Sequence, residues 1–243
     1  MEWSATSATR AYLDTLKLCN SVKRQSGSWR SPEPGSNEFV SALAAGMRAK
    51  LIVEVTSGVS PSTVALAAAA RQTGGRLVCI LPELILAESK RVIKDSGLKD
   101  LVEFKTGDPS ELLPNYANID FSLVDCKNDD YTRLLNLLDV NTTRSVVVAN
   151  NLVGERKGLG GHLKGKDEEK VTVRSLKHPI GKGMEVTMIG KNDEIEKRNW
   201  GGGGHSGIRR SKSLRDLGKS KWVVKFDKES GEEHIYRVPK LVG

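Results

Sequence analysis

From residue 36 onward the chain alternates between two hydrophobic periods. In NEFVSALAAGMRA the residues Phe39, Val40, Leu43, Ala44 and Met47 recur at helical spacing, which predicts an amphipathic helix. LIVEV (51–55), RLVCIL (76–81), LVEFK (101–105), IDFSLVD (119–125) and SVVVAN (145–150) are short β-branched or apolar runs, the pattern of strands covered on both faces. Helical stretches are predicted between them: PSTVALAAAARQ, with Pro61 suited to a first turn; PELILAESKRVIKDSG, closed by Gly97; and DDYTRLLNLLD. Strand and helix alternating five times predict a parallel, doubly wound α/β sheet. After residue 165, EKVTVRSL and GMEVTMIGK read as two strands around KHPIGK, an antiparallel hairpin or longer loop with His178 in the connection.

The pattern breaks at NWGGGGHSG (199–207), whose four consecutive glycines read as a flexible linker, so the ordered body is expected to end near residue 197. The segment IRRSKSLRDLGKSK that follows carries six basic residues and one acid, and KWVVKFDKESGEEHIYRVPK can form a hairpin turning at Ser230 and Gly231. The expected partition is an N-terminal helix and loop (1–35), an α/β domain (36–197), a Gly-rich basic linker (198–220) and a C-terminal hairpin or tail (221–243).

Charge sharpens this division. The chain of 243 residues has a formal charge of +8. Residues 1–150 carry 17 Lys or Arg and 17 Asp or Glu, and residues 151–243 carry 21 and 13. A neutral body with a basic end reads as a domain with an interaction or regulatory segment. Apolar residues make up 38%, and no window approaches the roughly 18 consecutive apolar residues of a membrane span. The N-terminus MEWSATSATRAYLD lacks the basic and apolar regions of a secretory signal. Cys19, Cys79 and Cys126 are widely spaced and fit reduced, buried thiols of a cytoplasmic protein, with the nucleus as an alternative.

Ligands of open parallel sheets bind at the carboxyl ends of the strands, so the loops there hold the candidate chemistry. Glu54 to Ser60 lead into a helix whose N-terminal amides can bind an anion, although a lone Gly58 equally suits a packing turn. Glu83 is placed to meet ribose hydroxyls or simply to start a helix. Asp108 can accept from a base amine or cap PSELL. Asp125 closes an apolar run, and an acid at the end of a buried strand is costly unless used. Asn150 and Asn151 offer neutral donors and acceptors, or a turn. Histidines 162, 178, 205 and 234 show no ligand spacing.

Several of these segments resemble the class I S-adenosylmethionine-dependent methyltransferases, in particular the small O-methyltransferases acting on caffeoyl-CoA and catechols. The stretches are NEFVSALAAGMRAKLIVEV, SGVS, DFSLVDCKNDDYTRLLNLL, VVVANNLV and VTVRSLKHPIGKGMEVTMIG, over roughly residues 36–190. The whole chain, with its ILPE turn and Gly-rich basic tail, resembles a plant family of methyltransferase-like proteins of unassigned function. The resemblance implies a Rossmann-like, seven-stranded sheet with an antiparallel last strand. It implies S-adenosylmethionine as cofactor, with Glu54, Gly58 and Ser60 around the methionine moiety, Asp108 near the adenine, and Asp125 between cofactor and metal. Asp125 and Lys127 are the candidate catalytic residues, and Asp125, Asn150 and Asn151 take the positions of a divalent-metal site.

Four departures accompany it. The glycine loop is two residues shorter and lacks its first glycine, which limits how closely backbone can approach a cofactor. The ribose acid position falls on Leu81. The middle metal ligand, an Asp in the family, is Asn150, and losing a carboxylate weakens a site for Mg²⁺ or Ca²⁺. The catalytic lysine position falls on Asn128, one residue after Lys127.

Two main functions follow. One is methyl transfer to a small hydroxylated acceptor, in which the protein mainly positions the reactants while Lys127 or Asp125 assists deprotonation. The other is a non-catalytic descendant that keeps the sheet as a binding or regulatory module, with a protein partner for the basic tail. Nucleic-acid binding is disfavoured, because only Trp200 and Trp222 flank the basic run. In IRRSKSL, Ser211 and Ser213 follow paired arginines and resemble substrates of basophilic kinases, with an unmodified linker as the alternative.

Overall fold

The computed structural model describes residues 3–26, 35–58, 60–126, 130–152, 158–159, 171–191, 221–226 and 233–238. Seven strands form one sheet: β1 (Leu51–Val55), β2 (Arg76–Leu81), β3 (Val102–Thr106), β4 (Phe121–Asp125), β5 (Arg144–Asn150), β6 (Val171–His178) and β7 (Met184–Lys191). Their order is β3-β2-β1-β4-β5-β7-β6. The first five are parallel, while β7 lies antiparallel to both β5 and β6. This is the expected mostly parallel seven-stranded sheet with its last strand reversed.

The apolar runs at 51–55 and 76–81 are strands over those same residues. The third strand begins one residue late, because Leu101 closes a 3-10 turn over Lys99–Leu101. The fourth begins two residues late. There Asp120 turns aside and its carboxylate accepts the backbone N–H groups of Lys50 (2.8 Å) and Leu51 (3.1 Å), tying β4 to the start of β1. His178 departs from its expected place in a loop. It ends β6 opposite Met184, and its ring centroid lies 5.5 Å from that of Phe39. The turn uses Gly181 and Gly183 at positive φ, so the chain reverses after Pro179.

Helices α2 (Ser36–Gly46), α3 (Pro61–Thr73) and α4 (Leu86–Asp95) form where predicted, with Glu83–Ile85 as a separate 3-10 turn before α4. α5 (Pro109–Leu112) and α6 (Tyr131–Leu137) are short. α1 (Ala5–Ser26) packs on α2 and α3, where Thr15 Oγ1 donates to Ser41 Oγ (2.9 Å) and Asp14 takes Gln72 (2.6 Å) and Arg71 (3.0 Å).

Two apolar cores flank the sheet. One joins Ile52, Leu77, Phe121, Leu123, Val146 and Val148 to α2 and α3, and the other joins Val53, Val78, Val124 and Val147 to α6. α3 carries Ala65 and Ala67 to Ala70, all fully buried, between the sheet and helices α1 and α2. Small side chains let this helix lie close to the strands, which fixes the loop that leads into it.

Met1–Gly201 forms one unit and Gly202–Gly243 a second. Within the second, β8 (Lys221–Phe226) and β9 (Glu233–Val238) pair antiparallel, from Lys221 with Val238 to Phe226 with Glu233. Lys127, Asn128, Trp200, Ser211, Ser213 and the turn at Ser230 and Gly231 lie outside the described residues.

Candidate functional site

The strand order reverses at β1. The chain runs outward through β2 and β3, then returns to place β4 on the other side of β1. At such a switch point the loops leaving β1 and β4 splay to opposite faces and open a crevice at their carboxyl ends.

The loop after β1 is held locally. Thr56 N donates to Ile80 O (3.1 Å), and Thr56 Oγ1 donates to Gly58 O (2.7 Å) while accepting from Gly58 N (3.3 Å). A Cβ on Gly58 would meet nothing nearer than Ile85 Cδ1 at 3.9 Å, so the protein's own packing does not demand glycine there. Ser60 is the N-cap of α3, in extended conformation, and its hydroxyl accepts from Ser62 N (3.2 Å) with Pro61 in the first turn. The helix thus begins at the crevice with its positive dipole end.

Glu54 lies beneath this loop and is fully buried. Ser62 Oγ donates to its Oε1 (2.5 Å) and Cys79 Sγ to its Oε2 (3.6 Å). Ser62 has one hydroxyl proton and gives it to Glu54, so in the Ser60–Ser62 hydroxyl contact Ser60 is the donor. Burial pushes the Glu54 carboxyl up to about 6, against the opposing pull of Ser62 and Cys79, and the charge of Asp125 adds to the rise. The Thr63 hydroxyl also favours the ionised form, yet it makes no hydrogen bond of good geometry. The same environment raises the Cys79 thiol well above its ordinary range, first through burial and then through Glu54. Glu54 therefore forms the floor under the site, where its oxygens are committed to the protein.

Asp125 occupies the rim at the end of β4, opposite Asn150 in register. Its Oδ1 accepts from Asn151 Nδ2 (2.8 Å) and its Oδ2 from Ser57 Oγ (3.5 Å). Asn151 holds φ 60, a left-handed conformation that asparagine tolerates better than most residues. Cys126 N donates to Asn150 O (2.8 Å), closing the two strand ends together. Asp125, Asn150 and Asn151 are thus brought together as their sequence positions imply, with Ser57 added.

Farther along the edge, Glu83 opens the 3-10 turn after β2, exposed, and its carboxylate has no partner among the described residues. Leu81, at the position where the resemblance expects an acid, is buried in the sheet. Asp108 accepts from Ser110 N (2.8 Å) and caps α5, and that bond and the Ser110 hydroxyl hold its carboxyl below the usual range. Of the two roles open to Asp108 in the sequence, the cap is the one this arrangement displays.

Three residues of the neighbourhood were given no role at the site by the sequence: Ser62, Cys79 and Glu185. Glu185 is buried in β7 opposite Ala149, and a Cβ on Gly158 would collide with its carboxylate, so the segment at 158–159 crosses directly over it. An acid within the strand-like run GMEVTMIGK was the one available hint.

The donor set does not fit a divalent cation. Asn151 turns its amide nitrogen, a donor, toward Asp125, and Asn150 contributes no charge. Among the described residues no group of three His, Cys, Asp or Glu could hold a metal ion. No described helix is long and apolar enough to cross a membrane.

Solved structures similar to this chain include three methyltransferases. A methyltransferase from Geobacter sulfurreducens shares 19% identity with a TM-score of 0.54, over 72% of this chain and 87% of that one. An O-methyltransferase from Bacillus cereus in complex with SAH shares 19% with a TM-score of 0.53, over 72% and 90%. The O-methyltransferase TomG from Streptomyces achromogenes, involved in tomaymycin synthesis and in complex with SAM, shares 23% with a TM-score of 0.51, over 73% and 89%. Identity at this level speaks to fold, and the fold is that of the class I methyltransferases. No curated protein matches the sequence. Residues 1–238 match the family described as "Protein of unknown function (DUF1442)", and the chain belongs to that family.

Proposed function

We propose that this protein binds S-adenosylmethionine across the carboxyl ends of its parallel strands and transfers the methyl group to a hydroxyl of a small acceptor. The observation that carries the reading is the convergence of Asp125, Ser57, Asn151 and the start of α3 at the β1/β4 switch point. The SAH bound to the B. cereus enzyme and the SAM bound to the S. achromogenes enzyme, which share this fold, support it.

The residues present suit such a cofactor at four points. The first turn of α3, capped by Ser60, offers a positive dipole end to a carboxylate. Glu83 is exposed and unpartnered among the described residues, and a carboxylate there can reach ribose hydroxyls in place of the missing acid at Leu81. Gly58, with open space where a Cβ would be, permits close approach to the loop backbone. Asp108 would receive the adenine amine through Oδ2, since Oδ1 takes Ser110 N. The cofactor supplies a sulfonium-activated methyl group. The protein's own task is to hold the acceptor hydroxyl in line with it and to take the hydroxyl proton, a role open to Asp125 and to Lys127. The basic segment 208–221 is assigned to a protein partner, and a plant cytoplasm or nucleus to the chain as a whole.

A second reading, a binding module without catalysis, is favoured by Glu54. The acid expected at the methionine moiety is sealed beneath the loop by Ser62 and Cys79. Radiolabelled methyl transfer to a panel of phenols and catechols separates the two. Transfer that disappears in Asp125→Ala supports the enzyme. Tight cofactor binding with no transfer to any acceptor supports the module.

A further inference from the structure

We infer that the Asp125–Asn151 pair takes the place of a divalent cation, so that the strand ends of this site are organised by a hydrogen-bonded clasp and need no metal. A cation between the loops after β4 and β5 would require oxygen atoms facing it from both sides. Here one side presents an amide N–H. Asn151 Nδ2 lies 2.8 Å from Asp125 Oδ1, and the left-handed backbone at Asn151 aims the side chain back at β4. Turning the amide to offer its oxygen to a cation would break that bond and take one donor from a carboxylate that is only partly exposed.

Charge argues in the same direction. Of Asp125, Asn150 and Asn151, one residue is anionic, so a doubly charged ion would stay undercompensated. The Asn150 carbonyl already accepts Cys126 N at 2.8 Å, and Ser57 Oγ approaches the second Asp125 oxygen at 3.5 Å. A single carboxylate therefore joins the loops following β1, β4 and β5. A cation bound at these strand ends would gather the same loops through its ligands, and the clasp does so with neutral donors.

The test uses the full chain without cofactor, so it can fail independently of the cofactor reading. Thermal unfolding is followed in EDTA and in millimolar Mg²⁺, Ca²⁺ or Mn²⁺, alongside calorimetric titration with each ion. The wild-type protein is expected to unfold at the same temperature in all of them and to give no saturable heat. In EDTA, Asn151→Asp, which sets two carboxylates against each other, is expected to unfold lower by roughly 2–4 °C, the shift of a lost charge-assisted bond in a chain of this size. A saturable rise of the wild-type midpoint with any of these ions, or an Asn151→Asp midpoint equal to wild type, would overturn the inference. The wild-type titration decides even where the variant fails to fold.

Discussion

Glu54 stands at the end of β1 with no exposed surface, a hydroxyl on one oxygen and a thiol on the other. Its carboxyl is raised from 4.5 to about 6, mainly because burial penalises the charge. Between those two values the folded state holds a proton that the unfolded chain releases. The contribution of Glu54 is therefore fully present below pH 4.5 and is lost as pH rises through 6, by about 2 kcal/mol. Glu54→Gln keeps an acceptor for Ser62 and removes the ionisation, so its stability is expected to stay flatter than wild type between pH 4.5 and 7. Urea unfolding of both proteins at the two ends of that range measures this, and identical pH slopes would contradict it. The sequence makes Glu54 visible as an acid in an apolar strand. It does not reveal which way the side chain is committed, because Ser62 is eight residues away and Cys79 twenty-five. Asp108 shows the same limit, since a cap and an adenine contact call for the same residue type and only the position of Ser110 N distinguishes them.

Elements were more legible than roles. The runs at 51–55 and 76–81 became strands over those residues because both lie inside the sheet, where a strand is apolar on both faces and stops where the chain turns polar. Edges and ends slipped where a side chain overrode the pattern, as Asp120 does by leaving the strand to accept two backbone donors. His178 was misplaced for a comparable reason, since Pro179 signals a break but the partner of His178 is Met184, reached only through the glycine turn. That turn abuts the site. Gly183 has φ 88, its carbonyl accepts Leu152 N at 3.0 Å, and a Cβ would come within 2.6 Å of Leu152 O. Gly183→Ala is expected to destabilise by about 2–4 kcal/mol, through a left-handed alanine and a backbone collision. It should also displace the segment carrying Asn150 and Asn151. Denaturant unfolding measures the loss, and a change under about 0.5 kcal/mol, ordinary for a surface site, would contradict the packing described.

At the scale of the molecule, every residue assigned to the crevice from the described structure belongs to the unit Met1–Gly201. A chain ending at Gly201 is accordingly expected to keep the cofactor affinity of the full protein, and a tenfold loss would tie the basic C-terminal segment to binding. The fold was readable from alternating strand and helix periods and from the resemblance of quoted segments, whereas the sequence departs from that resemblance at Leu81, Asn150, Asn128 and the shortened loop at Thr56 to Ser60. Calorimetric titration of the full chain with S-adenosylmethionine and S-adenosylhomocysteine tests the central claim most directly. Saturable binding with a dissociation constant in the micromolar range, weakened at least tenfold by Glu83→Ala, is the result expected of a working cofactor crevice. No heat with either ligand up to millimolar concentration would contradict it and leave the sheet as a scaffold.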